Sequence, residues 1–347
     1  MRKRLRLSLA ALLCASVFLF SGCAGGNAGI NIDLAGEKES ASSSADIIQS
    51  ILDTVTGQHT VTFCMDGQTT AVKVDDGKQV SMPASPKKEN YIFLGWFTDS
   101  GCSNRYDFSS AVEKDLTLYA GFTLDAASLT NEITLNTVKS LVTVVNMSYN
   151  SRMGVVTASV TEQGSGVIFA QENGYYYLLT NCHVAVKATE YSSQKITVND
   201  YLGNEYSGTI YSGKGTAACS ADYDLACISF RMDSETPLAV CEISSDPQTG
   251  DDVISLGAPL GQRNAITFGE VKGKNSVTLN TETYQSNVQF PVLRHSAPID
   301  HGSSGGPLLN SELKICGINY AGTENGGAYY AIPTEKVNEF LAKYVYS

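Results

Sequence analysis

The chain has 347 residues, 43% hydrophobic and only 17% charged, with 31 Gly, 18 Tyr and a formal net charge of −11. This balance excludes a disordered chain, which would be poorer in hydrophobic residues and richer in charge. It also excludes nucleic-acid binding driven by counterion release, because no cluster of Lys and Arg follows Arg6.

Met1 to Arg6 is positively charged, and Leu7 to Phe20 is apolar or small. That run is shorter than the roughly 18 to 20 residues with which a helix spans a bilayer, so residues 1–22 read as a signal peptide. Its ending, Ser21-Gly22-Cys23, resembles a bacterial lipobox, with Phe20 where Leu is usual. The resemblance implies that Cys23 is lipidated and becomes the N-terminus of a protein anchored to the membrane on its outer side. An ordinary secretory signal cut near Ala24 is the alternative. Losing Arg2, Lys3, Arg4 and Arg6 takes the 24 basic residues to 20 against 35 acidic ones, a net charge of −15 after export.

Of the nine Cys, Cys14 leaves with the leader and Cys23 carries the lipid, so Cys64, Cys102, Cys182, Cys219, Cys227, Cys241 and Cys316 remain. That number is odd, and several lie in apolar runs where a free thiol acts as a small hydrophobe. No disulfide framework is expected, although Cys64 with Cys102 stays open. Without a CxxC or a Cys/His metal spacing, neither a metal nor a cofactor is expected.

Residues 23–57 are rich in Gly, Ala, Ser and Asn, and read as a tether with one short helix over 47–55. Residues 58–124 then change to period two, with Val61 and Phe63, Val72 and Val74, and Val80 and Met82 as strand pairs broken by Gly67, Gly77 and Pro83. Val61, Phe63, Gly77, Pro83, Pro86, Tyr91, Phe93, Gly95, Trp96, Leu118, Tyr119 and Ala120 resemble the internalin-type B-repeat, with Phe122 in place of the closing Trp. That resemblance implies a small β-grasp-like module of bacterial surface proteins. Its aromatic residues read as core, and a cell-surface partner docking on the module is the second reading.

Residues 125–136 read as a linker with a turn or two of helix. From 137 to 347 short apolar strands recur between Gly, Asn and Asp turns, which points to a closed barrel or sandwich rather than βαβ units. Thr334 is the expected cap of a closing helix carrying Val337, Phe340, Leu341 and Tyr344.

Three stretches here bear reactive groups: Thr180-Asn181-Cys182-His183, Asp222-Tyr223-Asp224-Leu225-Ala226, and His301-Gly302-Ser303-Ser304-Gly305-Gly306-Pro307. Amide hydrolysis needs a nucleophile, a base and an orienting carboxylate, and these residues supply them in the order base, acid, nucleophile. Ser304 is a poor nucleophile until a neutral imidazole takes its proton, which His183 can do. Asp224 and Asp222 compete as the carboxylate, because residues two apart in a strand share a face. Gly around Ser304 lets the N–H groups of Gly302 and Ser304 converge on a developing oxyanion.

With Gly164-Ser165-Gly166-Val167-Ile168 leading into TNCHV, Asp224-Leu225-Ala226, Leu256-Gly257-Ala258-Pro259-Leu260-Gly261, GSSGGPL and Ala331-Ile332-Pro333, residues 137–347 resemble a trypsin-like serine protease of the HtrA branch. The resemblance implies a mainly β, chymotrypsin-like double β-barrel, protein or peptide substrates, and Asp224 rather than Asp222 as the orienting carboxylate. It also places the substrate pocket between Ser296–Ile299 and Gly317–Ala321, with Ala297, Ile299, Asn319 and Tyr320 as its residues. No acid stands at the expected floor, so cleavage after small or medium aliphatic residues such as Val, Ala or Ile is expected. His295 and His301 read as partly exposed loop residues, and Cys182 as buried. The chain ends just after the closing helix, leaving no PDZ domain expected. An inactive surface scaffold is the competing reading, and a base role for His183 predicts activity rising with pH through about 6 to 7.

Overall fold

A computed structural model of the protein describes residues 57–213, 215–232, 237–258, 264–277, 279, 286–323 and 327–346. The expected signal peptide, Cys23, the helix expected over 47–55 and residues 259–261 of the Leu256–Gly261 motif lie outside the described residues. Two compact units divide the rest, one ending at Leu124 and the other beginning at Asp125.

In the first unit, Asp66 and Gly67 both take positive φ (47° and 80°), the backbone of a tight hairpin turn whose twist matches the strands it joins. It links β1 (Gln58–Met65) to β2 (Gln68–Asp75), with β3 (Tyr91–Phe97) and β4 (Leu116–Leu124) completing a sheet of order β2-β1-β4-β3. The β1–β4 pair is parallel and the others antiparallel. Alternation puts Val61, Phe63 and Val74 on the inner face, where they meet Val80, Trp96, Val112 and Leu118. The Phe63 and Trp96 rings stand edge to face at 4.8 Å, so the aromatic signature of the module is its core. The segment Val80–Met82, expected as a strand, lies outside the sheet: Val80 is buried, Met82 is exposed, and Pro83 and Pro86 remove ladder donors nearby.

The helical turns expected in residues 125–136 form a ten-residue helix, the first of the second unit. Asp125 caps α1 (Ala126–Leu135) by accepting from the Ser128 N–H at 3.0 Å, and Leu129 and Ile133 bury the helix's apolar side. A first barrel follows from β5 (Leu141–Arg152), β6 (Val155–Glu172), β7 (Tyr175–Thr180), β8 (Ser193–Asn199), β9 (Glu205–Ile210) and β11 (Leu225–Arg231), in the order β11-β7-β6-β5-β8-β9 with β9 closing on β11. The short β10 (Cys219–Ser220) lies beside β11. Val142, Val144, Ile168, Tyr176, Leu178, Ile196, Val198, Ile228 and Phe230 fill it.

The second barrel closes as β12-β13-β14-β17-β16-β15, formed by β12 (Asp252–Gly257), β13 (Ala265–Asn275), β14 (Val292–His295), β15 (Pro307–Leu309), β16 (Ile315–Gly322) and β17 (Tyr329–Pro333). Within β13, a Cβ on Gly269 would sit 2.1 Å from the Ala297 nitrogen, so only glycine lets the two backbones approach. The closing helix α3 (Thr334–Tyr344) is capped from elsewhere than expected: Asp246 accepts from the Thr334 hydroxyl at 2.8 Å and from the Glu335 N–H at 3.1 Å, and Thr334 is itself the first helical residue. Among the described residues no helix is long and apolar enough to cross a membrane.

Candidate active site

His183 lies on a short helix, α2 (Cys182–Ala185), which follows β7 and is held at its C-terminal end. The carbonyls at the end of a helix lack partners within it. Here Asn146 of β5 donates its amide to the carbonyls of Val184 at 3.1 Å and Val186 at 2.8 Å, and Gln194 of β8 donates to that of Ala185 and to Asn146 Oδ1. Core strands of the first barrel thereby fix the segment carrying the imidazole.

Asp224 ends a turn closed by its own N–H to the Ala221 carbonyl, and takes φ +46°, a conformation Asp tolerates better than most residues. Its carboxylate has no exposed surface and accepts twice from His183, at Oδ2 from Nδ1 (2.7 Å) and at Oδ1 from the backbone N–H (2.9 Å). A carboxylate can only accept, so Nδ1 carries the ring proton and Nε2 is left as the base. Asp222, two residues earlier, accepts from the Asn287 amide at 2.9 Å. The left-handed turn breaks the strand alternation that made the two acids equivalent in the sequence.

Ser304 lies between β14 and β15 in a loop supported by both barrels. Ser303 N–H closes a turn onto Asp300 O at 2.9 Å, with Gly302 at φ +94°, and Gly305 follows at φ +84°. Gly305 N–H donates to Asn319 O at 2.9 Å, and Ser304 O accepts from Ser165 N–H at 2.8 Å. A Cβ on Gly164 would lie 2.8 Å from Ser304 O and 2.6 Å from Val184 Cγ2, and one on Gly305 would lie 2.9 Å from Asn181 N. Two glycines thus allow the Ser304 loop to press against the residues flanking His183. His183 and Asp224 of the first barrel are bonded to each other, and the Ser304 loop of the second barrel packs against the segments that flank His183.

The four expected pocket residues separate. Ala297, Asn319 and Tyr320 are buried, with the Asn319 amide donating to Ser255 Oγ at 2.9 Å and the Tyr320 hydroxyl 3.3 Å from Ser286 Oγ. Ile299 alone keeps surface. A Cβ on Gly322 would stand 3.9 Å from Ile299 Cγ1 and 3.3 Å from Tyr329 Cδ1, so Gly322 lies beside both Ile299 and Tyr329. The pairing of Gly322 with Tyr329 across β16 and β17 requires the barrel register and has no local signal.

His295, expected in an exposed loop, is instead in β14 with 1% exposure and no partner on either ring nitrogen. Burial pulls its pKa down to about 4. His301 is exposed as expected. Cys182 is buried but not free: it is bonded to Cys219, tying the residue before His183 to the strand beside Leu225. Cys64 and Cys102 are unpaired, and Cys227, Cys241 and Cys316 are buried thiols.

Residues 164–318 match the family model of the trypsin-like peptidase domain, and residues 59–121 that of the Listeria–Bacteroides repeat domain. Serine protease Do-like HtrA of Bacillus subtilis is 37% identical over 189 residues, covering 52% of this chain and 39% of its own length. Serine protease Do-like HtrB of the same organism is 32% identical over 215 residues, covering 60% of this chain and 44% of its own. The chain therefore spans less than half of these relatives. Among solved structures, the active form of the Rv3671c protease from M. tuberculosis aligns over 64% of this chain and 88% of that one, with 20% identity and a TM-score of 0.49. The chain carries a trypsin-like peptidase domain with HtrA-type serine proteases as relatives, together with one Listeria–Bacteroides repeat domain.

Proposed function

We propose that the protein is a serine endopeptidase that works outside the cytoplasm, anchored to the membrane by lipid on Cys23. The observation that carries the catalytic part is the pairing of His183 Nδ1 with buried Asp224 at 2.7 Å beside the Ser304 loop. His183 Nε2 takes the Ser304 proton as the hydroxyl attacks a peptide carbonyl, and Asp224 stabilises the imidazolium that forms. The N–H groups of Gly302 and Ser304 receive the oxyanion, the protonated His183 gives its proton to the leaving amine, and water then releases the acyl group by the same steps. Protein or peptide chains are the substrates. The apolar side chain of Ile299 supports a preference for small or medium aliphatic residues before the cleaved bond, and preferential cleavage after Lys or Arg in a peptide library would refute it.

A fluorophosphonate probe tests the enzyme reading: it should label the wild type and not Ser304→Ala. A folded wild type that resists labelling would make the domain a scaffold, with the repeat module docking a surface partner. The anchor is tested separately, since Cys23→Ser should move the protein from the membrane to the soluble fraction and abolish incorporation of labelled fatty acid.

A further inference from the structure

We propose that Ser165 is a positioning residue for this reaction, its hydroxyl holding the oxyanion loop in the shape that hydrolysis requires; the inference rests on the peptidase reading above. Ser165 has no exposed surface, and all of its polar atoms are committed to the site. Its N–H donates to Ser304 O at 2.8 Å, and its carbonyl accepts from the Thr180 hydroxyl at 2.7 Å, three residues before His183. Its Oγ accepts from the Ala258 N–H at 2.9 Å and donates to Gly302 O at 2.7 Å. A hydroxyl has one proton to give. The Ala258 N–H occupies a lone pair, so that proton is directed at Gly302 O.

What is held is the critical turn. With Ser303 N–H bonded to Asp300 O and Gly302 at φ +94°, residues 300–303 form a turn of type II. The type I alternative would need Gly302 near φ −90° and would turn over the peptide between His301 and Gly302. That peptide carries the N–H proposed for the oxyanion. Glycine at this position makes both forms accessible, and the bond from Ser165 to the Gly302 carbonyl pins the peptide that follows, so that the turn is held from its Ser303 side. Without the hydroxyl, Gly302 O and the buried Ala258 N–H both lose a partner, and the loop gains a reason to rearrange.

The consequence falls on the transition state, where the oxyanion exists, and not on substrate binding along Ile299. Ser165→Ala should lower kcat by about 10- to 100-fold, short of the roughly 100- to 1,000-fold typical of deleting an oxyanion donor outright, with KM changed by less than about threefold. Affinity for a peptide boronate, whose tetrahedral adduct occupies the oxyanion site, should fall in parallel with kcat, while affinity for the corresponding product peptide stays. Ser165→Cys, which keeps a weaker donor in a similar volume, should fall between wild type and Ser165→Ala, and serves as the test if Ser165→Ala does not fold. An unchanged kcat, or a loss shared equally by kcat, KM and product affinity, overturns the inference. A wild type that neither hydrolyses peptides nor reacts with fluorophosphonate overturns the peptidase reading and this inference with it, whereas an active wild type with an unimpaired variant overturns the inference alone.

Discussion

Asp224 grips His183 by ring and backbone together, Oδ2 accepting from Nδ1 at 2.7 Å and Oδ1 from the main-chain N–H at 2.9 Å. The second bond fixes where the imidazole starts, and the first fixes which nitrogen is protonated. Asp224→Asn keeps the volume and an accepting oxygen but offers an N–H₂ toward Nδ1, which favours the wrong tautomer. A fall in kcat of roughly 10³- to 10⁴-fold is expected, with the fold intact by thermal unfolding. Retention of more than about a tenth of the activity would remove Asp224 from the mechanism.

Gly305 tests how tightly the nucleophile loop is packed. A Cβ there would stand 2.3 Å from both Ser165 O and Thr180 Oγ1, on a backbone at φ +84° that L-residues rarely adopt. With Asn181 N at 2.9 Å as the third neighbour, two of the three conflicts are with backbone atoms that cannot move without disturbing β6 or the end of β7. Gly305→Ala should therefore abolish fluorophosphonate labelling of Ser304 and lower stability by about 2 kcal/mol or more, read by urea unfolding. Normal labelling at normal stability would show that the loop sits more loosely than the distances imply.

Much of this site was legible because its parts are local. TNCHV, the Asp224-Leu225-Ala226 run and GSSGGPL each mark the end or connection of a strand, and Gly before and after Ser304 announces positive φ. What escaped depends on contacts across the barrels. The Cys182–Cys219 bond joins residues 37 apart that carry no pairing signal. His295 is inward-facing only because β14 pairs with both β13 and β17, and its run looks like polar loop in the chain. The β9 and β13 strands give little local signal for a related reason: Glu205–Ile210 is polar, and Ala265–Asn275 contains two Gly and two Lys, so neither announces an apolar face. The Thr334 cap was misassigned because its true partner, Asp246, lies 88 residues away.

His295 predicts an acid weakness. Its folded pKa, about 4, lies below the roughly 6.5 of an unfolded imidazole, so the unfolded chain binds the proton first. The contribution of the neutral buried ring is complete above pH 6.5, shrinks as pH falls, and is spent below about 4. His295→Phe keeps a ring beside Tyr329, whose centroid is 6.0 Å away, and removes the titration. Relative to wild type, the unfolding free energy of His295→Phe should rise by on the order of 2–3 kcal/mol between pH 7 and pH 4, over any constant offset from the substitution. A pH-independent difference would mean that the ring is not forced to stay neutral.

The bond between Cys182 and Cys219 should couple redox state to both stability and catalysis. It closes a loop across 37 residues, for which the loss of unfolded-state entropy is worth about 3–4 kcal/mol. It also anchors the residue next to His183 to β10, whose Ser220 pairs with Leu225, the residue after Asp224. Breaking it therefore loosens the segments carrying the base and its carboxylate together, while the Ser304 loop in the other barrel keeps its own bonds. Reduction with dithiothreitol should lower the urea midpoint and reduce kcat more than it raises KM. A Cys182→Ser, Cys219→Ser double variant should show the lowered values with or without the reductant. Equal midpoints and equal kcat for oxidised and reduced wild type would show that the hydrogen bonds from Asn146, Gln194 and Asp224 hold α2 without help from the disulfide.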